Sequence, residues 1–346
     1  MEVRHIAVDR INGFERRPSG VYVPGKAELK KVLDKAKSDL EKKAPINYLP
    51  FGNEINSLGI AKKISQAVLL VGPTGVGKSM LARKMALEWD MPFLYITCDP
   101  DKTEGKIMGR PDVVFGSFEV GGKVETMPLQ HFRPSSISTA GLSGEPVVLF
   151  IDELHKLRKN VDALFHPLIN EREVNLSDHL GPGEVYSLHR DTVVIFALNP
   201  YYGDAGIETV GPAMRQRVKT LYFPMVTDAD KMIQIVEANV GDIKGHRQKI
   251  ESICQMCAAI SRVYLESRRE GTTGQDDLQI KTQLSKVLST INEAPSPRIV
   301  VKTTEAILAG QPADDAVLEG IFNPITNDFG STARALTTIA HDVYGI

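Results

Sequence analysis

The sequence has few cysteines and almost no net charge, and each shortage argues against a class of protein. Its 346 residues include only three cysteines, too few for the disulfide framework of a small secreted domain. Lys and Arg number 41 and Asp and Glu number 43, so the net charge is −2. That balance gives no overall electrostatic reason to expect nucleic acid, although a local basic pore stays open.

Long apolar runs are also missing. No stretch of about 18 apolar residues predicts a membrane span, and Met1-Glu2-Val3-Arg4 does not begin an apolar signal core. We therefore expect a reduced, cytoplasmic compartment and no membrane partner. Cys254 and Cys257 lie three positions apart in an apolar segment without a second cysteine pair, so we expect buried helix residues rather than a zinc or redox site.

The length allows two domains, and apolar runs indicate where they lie. Five such runs have the length of strands: 67–71, 93–97, 147–151, 192–198 and 220–223. Helix-prone segments lie between most of them, which predicts a three-layer α/β fold with a five-stranded parallel sheet. We expect an N-terminal extension with an amphipathic helix over 1–60, the α/β core over 61–225, and a smaller all-helical lid over 226–346.

Two segments interrupt the alternation of strands and helices. Strand-like runs surround Gly121-Gly122 within 112–126, and others flank Gly181-Pro182-Gly183 within 172–188, so each segment predicts a hairpin. Such hairpins can be surface decoration or functional insertions. After Met225 the pattern predicts helices over 229–240, 246–267 and 278–292, one beginning near Pro297, and one over 332–343.

A glycine-rich stretch joins the first core strand to a helix-prone segment. It comprises Gly72, Pro73, Thr74, Gly75, Val76, Gly77, Lys78 and Ser79, and Met80 follows it. Glycines at this spacing let backbone N–H groups surround a phosphate at a helix N-terminus. Lys78 would bring its charge to the β- and γ-phosphates, and the Ser79 hydroxyl would bind Mg²⁺. The stretch therefore predicts a nucleoside triphosphate site.

Polar side chains follow two of the later strands. Asp152 and Glu153 come directly after an apolar strand, and Asn199 follows the next long one. Strands of a parallel sheet deliver such residues to the edge beside the glycine loop. Asp152 would hold Mg²⁺, Glu153 would orient and polarise the attacking water, and Asn199 could bond both that water and the γ-phosphate. The pattern predicts hydrolysis as well as binding.

The order of these motifs resembles the AAA+ ATPases, and more narrowly the CbbQ/NorQ/NirQ subgroup of their MoxR branch. The resemblance covers roughly 20–310. The segments that carry it are Gly72–Ser79, Ile151–Leu154, His166–Leu168 with Arg172, Ala197–Tyr201, Pro212–Arg217 and Ser296–Arg298. It implies an AAA+ core with two hairpin inserts and a helical lid.

The resemblance also implies roles for individual residues. Asn199 occupies the sensor-1 position. Arg298, at the start of a lid helix, occupies sensor 2 and would contact the γ-phosphate, and Arg334 is a second candidate for that role. Arg215 and Arg217 lie in the arginine-finger segment, and we favour Arg217 as the residue that reaches a neighbouring subunit's nucleotide.

Three functions remain open from the sequence. The resemblance implies a hexameric, chaperone-like ATPase that remodels a protein client or acts with a von Willebrand A-type partner, with ATP preferred over GTP. Phe115 and Phe118 of the first hairpin are candidate client contacts, and Tyr22 is either a base contact or core. A nucleic-acid-stimulated motor of restriction or helicase type is the alternative, although basic residues in 101–146 are scattered. A regulatory subunit that binds nucleotide without hydrolysis is the third, and Glu153 argues against it.

Overall fold

The structure, a computed structural model, describes residues 10–11, 13–101, 103–120, 123–157, 164–199, 212–268, 291–326 and 331–346. Its contacts divide the chain into two compact units. We call the first the sheet unit; it holds the described residues within Met1–Ile46, Gly52–Val71 and Ser79–Tyr222. We call the second the helical unit; it holds those within Asn47–Phe51, Gly72–Lys78 and Phe223–Ile346.

The described strands are β1 (Arg10–Ile11), β2 (Phe14–Arg16), β3 (Tyr22–Pro24), β4 (Val68–Val71), β5 (Phe93–Thr97), β6 (Gly109–Val120), β7 (Lys123–Pro134), β8 (Val148–Asp152), β9 (Glu173–Asn175), β10 (Val185–Ser187), β11 (Val193–Leu198) and β12 (Lys219–Tyr222). The described helices are α1 (Lys26–Glu41), α2 (Glu54–Lys63), α3 (Lys78–Glu88), α4 (Glu104–Met108), α5 (Ser136–Ser143), α6 (Phe165–Asn170), α7 (Ser177–Leu180), α8 (Pro212–Arg217), α9 (Ala229–Val240), α10 (Arg247–Arg268), α11 (Pro297–Leu308), α12 (Ala313–Val317), α13 (Asn323–Ile325) and α14 (Ser331–Ile339). Short 3-10 turns cover Leu154–Lys156 and Lys244–His246, and π-helical turns cover Leu318–Phe322 and Ala340–Tyr344.

A five-stranded parallel sheet forms the core of the sheet unit, in the order β12-β4-β11-β8-β5. Its three inner strands are buried except at the last residue of β8, as expected when both faces of a parallel sheet are covered. Leu198 pairs with Val71, and Phe196 pairs with Ile151. The carboxyl ends of β4, β11 and β8 therefore meet at one edge. The predicted α/β class and parallel sheet are confirmed.

The first predicted hairpin is confirmed and is longer than expected. β6 and β7 pair antiparallel over their whole length, with Phe115 opposite Pro128. The predicted turn at Gly121-Gly122 lies outside the described residues. β3 pairs in parallel with β7 where Tyr22 meets His131, and β2 and β1 continue the sheet. The sequence did not predict these N-terminal strands, because two or three residues are too few to show a period of two.

The second predicted hairpin is confirmed in a shorter form. β9 and β10 pair antiparallel, with Val174 opposite Tyr186. The connection between them contains α7 before it reaches Gly181, so it is not a tight turn. Val174 is fully buried, which shows that this hairpin contributes to the core of the sheet unit.

The helical unit follows the predicted pattern of helices. α9 and α10 agree closely with the expected segments 229–240 and 246–267. The expected helix over 278–292 lies outside the described residues, apart from its last two positions. α11 begins at Pro297, where a missing N–H costs nothing. None of the helices in the described part of the chain is both long and apolar enough to cross a bilayer.

All three cysteines lie among the described residues and are buried. Cys254 and Cys257 are fully covered on α10, and Cys98 is 1% exposed. Burial raises the pKa of the Cys254 thiol to about 12 and that of Cys257 well above its usual range. The prediction that the Cys254–Cys257 pair is part of an apolar helix is confirmed, and neutral thiols at these positions are poor nucleophiles.

Arg172 joins three parts of the sheet unit. It precedes β9 with a left-handed φ of 57°. Its Nη1 donates to the Ser65 carbonyl at 2.8 Å, and its Nη2 donates to the carbonyls of His189 (3.0 Å) and Thr192 (2.8 Å). Burial lowers the pKa of the guanidinium. Arg172 thereby satisfies backbone carbonyls at the end of α2 and before β11, the edge opposite the predicted site.

Arg172→Met is expected to lower the free energy of unfolding by about 3 kcal/mol, because three carbonyls lose a charged donor and water cannot fully replace it. Denaturant unfolding followed by circular dichroism measures the change. Arg190→Met is the matched control, since that side chain is 87% exposed. Equal losses for the two variants would show that Arg172 does not hold these segments together.

Candidate functional site

The glycine-rich loop leaves β4 after Val71 and leads directly into α3 at Lys78. Gly75 and Gly77 have left-handed φ values of +78° and +98°, which residues with a Cβ rarely adopt. A Cβ on Gly72 would lie 2.6 Å from both the Cβ and the carbonyl oxygen of Phe223. The backbone of this loop is thus shaped by positions that only glycine tolerates, as a phosphate-binding loop requires.

Within the helical unit, the loop packs against residues distant in sequence. A Cβ on Gly75 would lie 2.6 Å from Ser296 Oγ and 3.2 Å from the Cβ of Arg298. A Cβ on Gly77 would lie 3.1 Å from the ring of Tyr48. The structure therefore brings Arg298, the predicted sensor 2, next to the loop. Tyr48 was missed by sequence reasoning, because nothing in its local sequence indicates a partner 29 positions away.

The charged group of Lys78 lies over its own loop. Its Nζ donates to the carbonyls of Gly72 at 2.6 Å and Pro73 at 2.8 Å. These bonds hold the ammonium group beside the start of the loop, and Lys78 itself is the first residue of α3. A cation in this position, together with the backbone N–H groups of a helix N-terminus, suits a phosphate ligand.

Gly75→Ala is expected to raise the Kd for Mg²⁺-ATP by at least about tenfold, because a methyl group cannot fit against Ser296 and a left-handed φ costs an L-residue about 1–2 kcal/mol. Binding of a fluorescent ATP analogue measures the loss. Gly59→Ala is the control: it lies in α2, and an added Cβ there meets nothing within 4 Å. Unchanged affinity in Gly75→Ala would exclude the loop as the phosphate contact.

In the sheet unit, the strand ends carry the predicted polar residues. Asp152 is the last residue of β8, and Asn199 follows β11, the neighbouring strand. Asn199 is 5% exposed, whereas the Glu153 side chain is 25% exposed. Ser79 lies in the first turn of α3, and Met80 follows it. The sheet therefore brings Asp152, Glu153 and Asn199 together at one edge.

Asp152 is held by groups on both sides. Its Oδ1 accepts the backbone N–H of Glu153 at 2.9 Å, and its Oδ2 accepts the hydroxyl of Tyr95 at 3.2 Å. Tyr95 is on β5, the neighbouring edge strand, and desolvation raises its pKa, so it remains a neutral donor at neutral pH. Sequence reasoning missed Tyr95, since its role depends on pairing between β5 and β8.

Glu153 begins the turn after β8 in a left-handed conformation, with φ 57°. Its Oε2 lies 3.3 Å from His155 Nε2 and 3.2 Å from Lys156 Nζ. The Nδ1 of the same imidazole accepts the backbone N–H of Asn199 at 3.3 Å. The side chain of His155 is only 4% exposed. His155 therefore lies between the ends of β8 and β11. Its position two residues after Glu153 in the sequence does not indicate this placement.

The candidate arginines are exposed. Arg215 and Arg217 occupy the last turn of α8, and Arg217 Nη1 lies 3.5 Å from His166 Nδ1 on α6. Arg298 is in the first turn of α11, and Arg334 is on α14. Tyr22, by contrast, is buried in β3. The charged groups of Arg215 and Arg217 lie at the surface, so they can contact another molecule without a change in fold.

The described residues include no group of three or more His, Cys, Asp and Glu side chains placed to hold a metal ion. Mg²⁺ does not need such a group, because it is usually held by one or two protein oxygens together with water and substrate phosphates. The oxygen donors Asp152 and Ser79 fit this requirement. They would hold Mg²⁺, and the ion would neutralise charge on the phosphates.

The chain is similar to a known protein family and to several known proteins. The family model of the AAA domain (dynein-related subfamily) matches residues 67–218. Protein NorQ of Paracoccus denitrificans is 25% identical over 86% of this chain and 94% of its own length. Protein CbbQ of Hydrogenophilus thermoluteolus is 27% identical over 51% of this chain and 60% of its own. The denitrification regulatory protein NirQ of Stutzerimonas stutzeri is 22% identical, with 86% and 92% covered.

Two solved structures are similar at lower sequence identity. The Holliday junction branch migration motor RuvB of Thermotoga maritima shares 14% identity, covering 90% of this chain and 68% of its own, with a TM-score of 0.41. NtrX of Brucella abortus shares 15% identity over 82% of this chain and 58% of its own, with a TM-score of 0.41. The predicted resemblance to AAA+ proteins of the CbbQ/NorQ/NirQ group is confirmed by the sequence matches.

Proposed function

We propose that this chain, in which residues 67–218 match the model of the AAA domain (dynein-related subfamily), hydrolyses ATP with Mg²⁺ in a ring of identical subunits and uses the reaction to remodel or activate a protein client. The observation that carries the proposal is the pair of polar strand ends, Asp152-Glu153 and Asn199. Asn199 follows β11, which pairs with the strand that leads into the glycine loop, and Asp152 ends β8, which pairs with the other side of β11. A module that only binds nucleotide has no use for a water-polarising carboxylate.

Each candidate residue has a separate task in this proposal. Lys78 and the loop N–H groups bind the β- and γ-phosphates, while Ser79 and Asp152 hold Mg²⁺. Glu153 orients the attacking water and accepts its proton. Asn199 bonds the γ-phosphate and the water. Catalysis then depends on position and on charge stabilisation, as phosphoryl transfer generally does.

Arginine side chains complete the proposed site, one from the same chain and one from the neighbouring subunit. Arg298 senses the γ-phosphate from the same chain, and Arg217, with Arg215 as second choice, reaches the nucleotide of the next subunit. A residue supplied by a neighbour makes hydrolysis depend on assembly and couples the nucleotide states of adjacent subunits. The exposure of both helix-α8 arginines supports this role.

The long hairpin β6–β7 supports a protein client. Phe115 is 74% exposed and Val113 is 59% exposed on β6, so the hairpin presents apolar side chains to solvent. Exposed large apolar side chains on one element are typical of contact surfaces for protein. The side chain of Phe118, the other predicted contact, lies outside the described residues. The resemblance to CbbQ and NorQ also supports a partner with a von Willebrand A-type domain, which would act as an adaptor.

The test is Mg²⁺-dependent ATP turnover per subunit, measured as protein concentration rises. We expect turnover that requires Mg²⁺, increases steeply with concentration, and is lost in Lys78→Ala. Duplex and single-stranded DNA are added in parallel, and no stimulation is expected. Stimulation by DNA that disappears at high salt would favour the nucleic-acid motor instead. Turnover that is constant on dilution would contradict the shared site.

A further inference from the structure

His155 occupies an unusual place between the two catalytic strand ends. It is nearly buried, whereas the carboxylate it contacts is partly exposed. Its Nδ1 accepts the N–H of Asn199, so in the neutral ring the proton is on Nε2. That nitrogen lies 3.3 Å from Glu153 Oε2. One rigid ring thus contacts the backbone of Asn199, the residue after β11, on one side and the Glu153 carboxylate on the other.

We propose that His155 is a positioning residue that links the Glu153 carboxylate to the backbone of Asn199. The inference rests on the proposed function, because it assigns a residue that makes Glu153 effective. The imidazole ring is planar and rigid, so the distance between its two nitrogens is fixed, and the position of Nδ1 beside Asn199 constrains the position of Nε2 beside Oε2. A misplacement of a catalytic group by about 1 Å can cost up to about 100-fold in rate.

The backbone conformation of Glu153 does not by itself fix the position of its carboxylate. Its left-handed φ and the bond from its N–H to Asp152 Oδ1 fix the start of the turn, but the carboxylate lies three bonds further out. Lys156 Nζ also contacts Oε2 at 3.2 Å, yet its side chain is 35% exposed and flexible. Of the two side chains that contact Oε2, His155 is the rigid one, and it also contacts the residue after β11.

Two substitutions of His155 test its contact with Glu153 and its contact with Asn199 separately. In His155→Gln, the amide nitrogen takes roughly the place of Nε2 and keeps a polar contact with Glu153, while the acceptor for Asn199 is lost. In His155→Asn, the shorter side chain keeps an acceptor near Nδ1 and loses the contact with Glu153. If both contacts are needed, kcat falls by about tenfold or more in each variant, and KM for ATP and ATP affinity change less than about twofold.

The decisive experiment is a double-mutant cycle on the full chain, with ATP turnover measured for His155→Gln, Glu153→Gln and the double variant. We expect no further loss of kcat when His155→Gln is added to Glu153→Gln, because His155 acts through that carboxylate. The control is His179→Gln, a histidine packed against Phe132 outside the site, for which wild-type kcat is expected. Unfolding midpoints of all variants are compared.

Other outcomes would overturn the inference. A loss of kcat that multiplies in the double variant, or a fall in ATP affinity that matches the fall in kcat, would show a general structural role. Wild-type kcat in both His155→Gln and His155→Asn would show that the link is dispensable. Absence of turnover in the wild-type protein would reject the proposed function and this inference together, whereas wild-type turnover with a multiplicative cycle rejects the inference alone.

Discussion

Arg217→Ala is expected to lower ATP turnover by about 10³-fold while the subunits still assemble and bind ATP. A guanidinium group near the γ-phosphate stabilises the charge that builds up on its oxygens in the transition state, and the ground state gains much less. Arg217 is exposed at the end of α8, so its removal should leave the core of the sheet unit unchanged. Turnover and ATP binding measured on the same preparation separate the two effects.

Mixed rings test whether Arg217 acts on the neighbouring subunit. Arg217→Ala subunits retain Glu153, and Glu153→Gln subunits retain Arg217, so a boundary between the two variants can hold one complete site. Random mixing in equal amounts should restore about a quarter of wild-type turnover from two inactive proteins, if each site draws residues from two chains. No recovery on mixing would show that each chain hydrolyses ATP alone.

Two comparisons assign the loss to Arg217 itself. Arg215→Ala is expected to lower turnover less, and a larger loss there would make Arg215 the finger. Arg190→Ala removes an arginine whose side chain is 87% exposed in the turn before β11, and wild-type turnover is expected. A loss in Arg190→Ala similar to that in Arg217→Ala would indicate a general effect of surface charge.

Glu153→Gln is expected to lower turnover by about 10²–10⁴-fold and to leave ATP binding intact, because an amide cannot accept the proton of the attacking water. The change is nearly isosteric, so the turn after β8 keeps its shape. Single-turnover hydrolysis and equilibrium binding of Mg²⁺-ATP measure the two quantities. The variant should therefore trap ATP in assembled rings, a form suited to capture of the client.

The matched control for this prediction is Glu145→Gln. Glu145 is an exposed carboxylate in the connection that precedes β8, and its substitution should leave turnover unchanged. If Glu153→Gln hydrolyses ATP at the wild-type rate, Glu153 is not the catalytic base and the mechanism proposed for the strand ends is wrong.

The sequence predicted most of the sheet, because buried parallel strands leave continuous apolar runs such as Val68–Val71. It predicted both hairpins from strand-like runs around glycines. It did not predict β1, β2 and β3. Of these, β3 pairs with the hairpin and joins residues about 110 positions apart, Tyr22 and His131. Pairing over that distance depends on tertiary packing, which local propensity does not encode.

The candidate site was likewise predicted only in part from the sequence. Loop and strand-end residues follow patterns of spacing, so the sequence identified Gly72–Ser79, Asp152, Glu153 and Asn199 as candidates. Tyr48, Tyr95 and His155 were missed, because each acquires its role from a neighbour that the fold supplies. Arg172 was noted only as part of a family motif, whereas its contacts with three carbonyls give it a physical function.

The burial of all three cysteines makes it possible to attach a fluorescent dye at one chosen position. Cys98, Cys254 and Cys257 are at most 1% exposed, so a maleimide dye would find no native thiol to attack. Phe115→Cys would then create a single labelling position on the exposed hairpin without removal of any natural cysteine. In the proposed ring, energy transfer between dyes on neighbouring subunits would report whether the hairpins move when ATP is hydrolysed.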